Sequence, residues 1–520
     1  MRLKLIVRYL MLVAVASLCG ACAVLTPPEY WPGDTWRTST PEEQGLDSAQ
    51  ILKLLQAIQA RDLNIHSLLI IRHGYLVSEV YFPPYQREMK QPAFSMTKSV
   101  TSMMAGKAME DGYLSGVGQS PLDFFPEIDR AKADRYLKAL TLEHLLTMSA
   151  GYNTTTLPDL SNKPADFNTG NFILTYDSVL WKPGTTFFYD NGLPYLMSII
   201  LQKTTGLTLR EYARQKLFEP LGITDVDWST DPQGYTTGNS GLRLKPLDMA
   251  KIGYLYLQRG RWNGAQVVPA PWVATSTTKH IETKGLMNAA EDDGYGYWWW
   301  IDAFGGYSAH GFGGQYIFVL PKLDMVVVFT AGLPDAQFPA PKQLMQSYLL
   351  PAASTTRALP AKPEAFQNLQ AAIHDIEHPE RPVTPLPEVA RQISGRRFAI
   401  TGGGSDLFQA VTFTFGAGNT YRSETLWPGD QTVVVTGGLD NVYRLNPVEF
   451  VGPLGVEKLT VAVKSYWQND HTFVEQYVRD LSADIAVITQ RYTFDGERVS
   501  IEVTSSMNAF TLHVSGEMAK

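Results

Sequence analysis

Up to residue 350 strand-forming residues concentrate at two places far apart in this chain, and the stretch between them reads as helix. The first place is Ser67-Leu-Leu-Ile-Ile-Arg-His-Gly-Tyr-Leu-Val-Ser-Glu-Val-Tyr-Phe82, where two β-rich runs flank His73-Gly74, a hairpin signal. The second runs from Tyr307 to Ala331, with turns at Gly311 to Gly314 and Pro321 to Asp324. Helical patterns fill Ser95 to about 225, broken by an Asn/Thr/Pro-rich loop at 152–170. Further helices are expected at Ser48 to Ala60 and Gln343 to Leu350. Strands at both ends with helices between them predict an α/β (α+β) domain over residues 46–352. Its single antiparallel sheet is closed by the two ends of the domain and covered by helices, some of them gathered into an all-helical subdomain.

The composition changes after residue 350. Pro351, Pro360 and Pro363, then Pro379, Pro382, Pro385 and Pro387, bracket a short helix, which makes 353–390 a linker. From 391 to 520 the pattern is strand after strand. Val411-Thr-Phe-Thr-Phe415, Leu459-Thr-Val-Ala-Val463 and Phe510-Thr-Leu-His-Val514 alternate strictly, and Asp495-Gly496 marks a turn between β runs. A small antiparallel β domain is expected there, barrel-like or sandwich-like.

The amino end sets the compartment. Arg2, Lys4 and Arg8 precede an apolar run, Tyr9 to Leu18, that is too short for an ordinary membrane span. Small residues follow. Residues 1–22 read as a signal peptide with two endings. Ala21-Cys22-Ala23 fits an A-x-A cleavage site, and Gly20-Ala21-Cys22 fits a lipobox in which Cys22 is lipidated, with Cys19 where leucine is usual. The expected location is the periplasm or cell envelope of a bacterium, lipid-anchored through Cys22 or else secreted, with residues 23–45 as a tether. Both cysteines, Cys19 and Cys22, lie in this segment, so no intramolecular disulfide staples the mature chain. It must be held by its own cores, which a 44% hydrophobic composition can build. The net charge of −7 gives no general attraction to nucleic acid.

The chemistry-bearing motif is Phe94-Ser95-Met96-Thr97-Lys98, a Ser-x-x-Lys at the opening turn of a helix along which Val100, Met103, Met104 and Met109 recur. Residues three apart share a helix face, so the Lys98 amine reaches the Ser95 hydroxyl. A serine hydroxyl is a weak nucleophile without a base beside it, and a desolvated lysine can be that base. The plain alternative is an N-cap serine with a solvated lysine a turn later. Further along come Phe188-Tyr189-Asp190-Asn191 and Ala309-His310-Gly311-Phe312-Gly313-Gly314-Gln315.

In order and rough spacing these motifs resemble those of the serine β-lactamase and penicillin-binding-protein group. The chain is most similar to class C β-lactamase-like serine hydrolases, on the esterase and 6-aminohexanoate-dimer hydrolase branch. Leu142-Glu-His-Leu-Leu-Thr-Met-Ser-Ala-Gly151, Lys216-Leu-Phe-Glu-Pro-Leu-Gly222 and Gly241-Leu-Arg-Leu-Lys-Pro-Leu-Asp-Met-Ala250 carry the likeness through most of 40–350. The resemblance implies a β-lactamase/DD-peptidase-like fold. It also implies Ser95 as acylated nucleophile, Lys98 as the group that helps deprotonate it, and Tyr189 as proton relay, its phenolate favoured by two nearby cations. Asn191 would hold Lys98 or a substrate carbonyl. The closing strand departs from the group's Lys-Thr-Gly. Either His310 replaces the lysine, or Ala309-His310-Gly311 is the triplet with Gly311 as its glycine. Only glycine lets that strand approach a substrate closely, which favours the second register. The oxyanion donors are then the N–H groups of Ser95 and Phe312, with His310 beside the cleft.

These features predict a serine hydrolase acting on small esters, amides or short peptides, without cofactor or metal and without a nucleic-acid partner. The alternatives are a DD-peptidase or weak β-lactamase, or a catalytically idle envelope-binding protein. Loss of the Lys-Thr-Gly lysine removes the usual anchor for a penicillin carboxylate. Tyr295-Gly-Tyr-Trp-Trp-Trp300 reads first as a buried strand and second as an apolar cleft wall. His374-Asp-Ile-Glu-His378 matches His-x-x-Glu-His, but Pro379 ends its helix at once and it lies in the linker.

Overall fold

In the computed structural model the two ends of the amino-terminal domain meet in the middle of its sheet. Strand β1 (Ile65–Arg72) pairs antiparallel with the last strand, β7 (Met325–Ala331), in the register Leu69↔Val328 and Ile71↔Val326. Every residue of both strands is buried, as expected of strands covered on both faces. The other strands are β2 (Tyr75–Tyr81), β3 (Asp292–Tyr295), β4 (Trp300–Asp302), β5 (Tyr307–Gly311) and β6 (Gln315–Leu320), in the sheet order β2-β1-β7-β6-β5-β4-β3. The turn joining β1 to β2 places His73 at φ 50° and Gly74 at φ 82°. Two left-handed residues are what a tight hairpin of matching twist demands.

The structure describes residues 30–519 apart from 34, 161–162, 177, 284–291, 354–357, 383–384, 404–407, 417–418, 453–454 and 509. The leader with Cys22 and the first part of the tether lie outside the described residues. Where the tether is described it packs down. Trp36 is buried edge-on against Tyr254, and the buried Glu42 carboxylate accepts from the Ser48 backbone and hydroxyl at 2.9 and 2.8 Å. Among the described residues no helix is long and apolar enough to cross a membrane.

Helix α1 (Ser48–Ala60) covers one sheet face. Its buried residues Ile51, Leu54, Leu55 and Ile58 follow the i, i+3, i+4, i+7 rule of an amphipathic helix. Asp47 caps it, accepting from Ala49 N–H at 3.0 Å. Between β2 and β3 run α2 (Thr97–Glu110), α3 (Gly192–Thr205) and α4 (Pro246–Leu257). Helix α4 lies against β6 and β7, and α2 packs on α3. The helix expected in the Pro-rich segment forms as α5 (Pro363–Glu377). It is no free spacer, since Leu369, Ile373 and Ile376 join the core shared with α1 and β1. His374 and His378 of the His-x-x-Glu-His match are exposed on α5, and Glu377 accepts the Tyr81 backbone N–H at 3.1 Å.

Among the described residues the carboxy-terminal domain has ten antiparallel strands: β8 (Arg397–Gly402), β9 (Ala410–Phe415), β10 (Thr420–Trp427), β11 (Gln431–Gly438), β12 (Arg444–Gly452), β13 (Gly455–Trp467), β14 (Thr472–Val478), β15 (Ile488–Asp495), β16 (Arg498–Ser505) and β17 (Thr511–Met518). They run in the order β11-β10-β9-β8-β17-β16-β15-β14-β13-β12, a barrel-like sheet whose ends nearly meet. Side chains bridge the gap. The buried Asn446 of β12 accepts from Thr436 N–H of β11 at 2.7 Å and donates to Thr436 C=O at 3.1 Å, imitating the missing ladder. Ser465 Oγ donates to Gly438 C=O at 2.6 Å.

Replacing Asn446 by alanine leaves the Thr436 N–H and C=O unpaired at this seam. We expect a loss of about 2 kcal/mol, from the penalty for stranded polar groups, read as a lower urea midpoint. An unchanged midpoint would show that the seam does not depend on this side chain.

Candidate active site

Helix α2 enters through a tight turn, Phe94–Met96, in which Phe94 is held at φ 44°. Left-handed backbone is strained for a bulky residue, and it sits directly before Ser95. Beyond it the helix is buried from Thr97 through Gly106. Three of its short hydroxyl residues each serve a neighbouring loop. Thr101 Oγ1 donates to Gly238 C=O at 2.7 Å, Ser99 Oγ donates to Trp298 C=O at 2.7 Å, and Thr97 Oγ1 accepts from Leu242 N–H at 3.4 Å.

Lys98 lies one helical turn from Ser95. Its side chain is 1% exposed, and Nζ reaches Ser95 Oγ at 2.8 Å and the Asn239 carbonyl at 2.9 Å. Burial pulls its pKa down to about 7, against the opposing pull of Asp190. Nζ also stands 4.8 Å from the Tyr189 ring centre. The half-buried Tyr189 has its phenol near Ser95, whose hydroxyl favours the ionised form, but desolvation outweighs this and lifts the phenol well above its ordinary value. The expected phenolate is therefore not favoured. The second cation that would support it is not found among the described residues: the register with Gly311 as the motif's glycine puts Ala309 where the family has its lysine, and the neighbouring His310 is held well below its ordinary pKa.

Asp190 fixes the segment that carries Tyr189. Fully buried, it accepts from Gly192 N–H at the start of α3 (2.8 Å), Thr156 N–H (3.0 Å) and Thr156 Oγ1 (2.9 Å). The half-buried Asn191 opens the same helix. The amine partners expected of Asn191 are taken instead by Ser95 and Asn239. The Gly238-Asn239-Ser240-Gly241 string gave no sign of this role, because it is a backbone carbonyl that does the work.

Packing on the closing strand supports the register with Gly311 as the motif's glycine. A Cβ on Gly311 would overlap the Ala93 carbonyl oxygen, so this is where β5 closes on the turn before Ser95. Phe312 follows, half-exposed, edge-on to Phe94 at 5.6 Å. The turn is pinned at several points. Gln315 Nε2 donates to Phe312 C=O at 3.1 Å, and Leu333 N–H donates to Gly313 C=O at 2.9 Å. The Ile485 side chain of the carboxy-terminal domain fills the space where a Gly313 Cβ would stand.

His310 faces the other way from Gly311, as alternation along a strand requires. Its ring stacks on Trp300 at 5.0 Å, and Trp300 stacks on Tyr189 at 6.1 Å. Trp300 is thus at the site, whereas Trp298 and Trp299 are core. Behind His310 runs a buried chain. Lys342 pairs with Asp302 at 3.1 Å, Ser308 Oγ donates to Asp302 Oδ2 at 2.7 Å, and His310 Nε2 lies 2.8 Å from Ser308 Oγ. With its proton given to Asp302, Ser308 accepts from Nε2–H, which leaves Nδ1 as the acceptor. Burial, then the Lys342 charge, hold the imidazole well below its ordinary pKa.

His310 is therefore expected to stay neutral, as the Nε2–H tautomer, as the pH is lowered through its ordinary pKa of 6.5. The ¹⁵N shifts of a ring-labelled protein report this. A His310 titration near pH 6.5 would contradict the assignment, and Ser308→Ala should disturb the tautomer if the chain fixes it.

The Beta-lactamase family model matches residues 54–346, over half of the chain. The 6-aminohexanoate-dimer hydrolase of Paenarthrobacter ureafaciens is 23% identical over 290 residues, covering 52% of this chain and 73% of that protein. The lovastatin esterase of Penicillium rubens is 30% identical over 175 residues, 30% of this chain and 42% of its own length, so the chain spans under half of that relative. The solved penicillin-binding protein homologue from Pyrococcus abyssi aligns over 89% of this chain and 99% of its own, at 16% identity and a TM-score of 0.46. With the family match running from α1 to the end of the sheet domain, the chain belongs to the Beta-lactamase family.

Proposed function

We propose that this protein is a serine hydrolase that cleaves ester or amide bonds of small, uncharged substrates through an acyl-enzyme on Ser95. The observation that carries the reading is the buried Lys98 amine 2.8 Å from Ser95 Oγ. At a pKa of about 7 the amine is largely neutral in mildly alkaline water, and a neutral amine accepts the hydroxyl proton. Ser95 Oγ attacks the substrate carbonyl carbon as Lys98 takes that proton. The carbonyl oxygen becomes anionic and turns to the backbone N–H groups of Ser95 and Phe312. The tetrahedral centre collapses, and the proton passes from Lys98 through the Tyr189 phenol to the departing alkoxide or amine. Water then attacks the acyl-serine by the reverse path. Tyr189 conducts the proton while remaining a phenol, consistent with its raised pKa.

Ester and amide chemistry both occur among the relatives, as the names lovastatin esterase and 6-aminohexanoate-dimer hydrolase state. The preference for uncharged acyl groups follows from His310, which offers a substrate carboxylate no positive charge. We expect p-nitrophenyl butyrate to be turned over at least tenfold faster than a chromogenic cephalosporin. Ser95→Ala should abolish hydrolysis and labelling by a serine-reactive phosphonate. A dominant cephalosporinase rate, or an active Ser95→Ala protein, would sink the reading.

The base assignment has its own test. If Lys98 is the base, kcat/KM for the ester rises with pH through about 7, as the amine loses its proton, and levels off above. Arginine stays protonated throughout this range. Lys98→Arg should then fall by a factor on the order of a thousand, as Lys98→Ala does. An arginine variant that keeps most of the activity would make Lys98 an electrostatic group rather than the base.

A further inference from the structure

The carboxy-terminal barrel is not filled along its whole length. Toward one end its interior is an aromatic core, with Phe413, Phe473, Tyr492 and Phe494 among its members. Toward the other lies a cavity of about 120 Å³. The strand pattern produces it. In β11, Val433 and Val435 point inward while Val434 is exposed, and Val448, Leu459 and Val461 complete the wall. Trp427 and Phe450, edge-to-face at 5.8 Å, also line it. From Ser423 to Trp427 the cavity follows β10 for about 13 Å, at the usual rise per residue.

The inner end is polar. Glu475 lines the cavity with its side chain almost fully buried, and Tyr421 donates to its Oε1 at 2.5 Å. No cation pairs with it among the described residues. Arg479, the one cation among the lining residues, is largely exposed and pairs with Asp484 at 3.3 Å. Trp427 Nε1 is buried without a hydrogen-bond partner among the described residues.

We propose that this cavity binds a single aliphatic chain with an uncharged, hydrogen-bond-donating head, of the chemical class of a short-chain alcohol or primary amide, with the head on Glu475. Apolar walls keep such a space dry, and since a cavity of roughly 150 Å³ takes up benzene, this one has room for a chain of about five carbons. A buried carboxyl that uses one oxygen for Tyr421 has acceptor capacity left for an incoming O–H or N–H. Burial lifts Glu475 to about 7, so a fatty carboxylate placed beside it would force one of the two acids to hold a proton. The site is independent of the chemistry at Ser95.

The test is titration calorimetry of the full-length protein with 1-pentanol at pH 8, after Ser95 has been blocked with phosphonate. Wild type should bind one pentanol per chain, at least tenfold more tightly than pentanoate. Val461→Trp fills the inner cavity, and Val433→Trp fills it nearer the solvent with less risk to folding. Either should weaken binding tenfold or more while ester hydrolysis by the unblocked variant is unchanged. Glu475→Leu should erase the preference for pentanol. Absence of binding, equal binding of pentanoate, or full binding by a folded Val433→Trp protein would overturn the proposal.

Discussion

A lysine amine that has almost no contact with water must find its hydrogen bonds inside the protein, and Lys98 finds them in the Ser95 hydroxyl and the Asn239 carbonyl. Taking an ammonium out of water is expensive, so the group is held in a place that favours its neutral form. The surrounding structure supplies that place. Thr97, Ser99 and Thr101 tie the loops at 238–242 and 298 onto α2. Those ties seal the helix and carry the Asn239 carbonyl to the amine.

The second demand is rigidity at the end of the sheet. The Ser95 and Phe312 amides belong to different elements, separated by most of the domain's sequence. Gly311 closes the distance because it has no side chain to strike Ala93. Gln315 and Leu333 then fix the turn from within the domain, and Ile485 fills its outer side from the neighbouring barrel. This puts the carboxy-terminal domain in contact with Gly313, the residue next to the proposed oxyanion donor Phe312. The β14 strand that lines the barrel cavity with Glu475 leads into the loop that carries Ile485.

Local pattern made the fold and the motif positions legible. The meeting of β1 with β7 was readable because both are unbroken apolar runs, and Ser95 with Lys98 because three residues make nearly a helical turn. Gly311 was readable from the special role of glycine in a strand. Asn239, Asp190, Ser308 and Gln315 were not readable, since each acts through a contact between segments distant in sequence. Trp300 was ambiguous for a related reason. Its two tryptophan neighbours are core residues, and only the bend at Trp298, at φ 59°, turns Trp300 toward Tyr189. The prolines marked 353–390 as a linker with a short helix, and what they did not reveal is that Leu369, Ile373 and Ile376 pack that helix onto the core.

Around the proposed nucleophile three ionisable side chains are placed where their neutral forms are favoured before reaction: an amine brought down by burial, a phenol pushed up by it, and an imidazole held unprotonated behind a buried ion pair. On the proposed route, attack at the carbonyl creates an ammonium on Lys98 and an oxyanion opposite two backbone dipoles in a single step. In a poorly solvated site that newly formed pair attracts far more strongly than it would in water. The attraction exists only once the charges have formed, so it lowers the barrier without tightening the ground state. A permanent cation at position 310 would cost part of that difference by binding anionic substrates before reaction. The neutral histidine and the buried lysine therefore serve the same end, a site whose charge appears with the transition state.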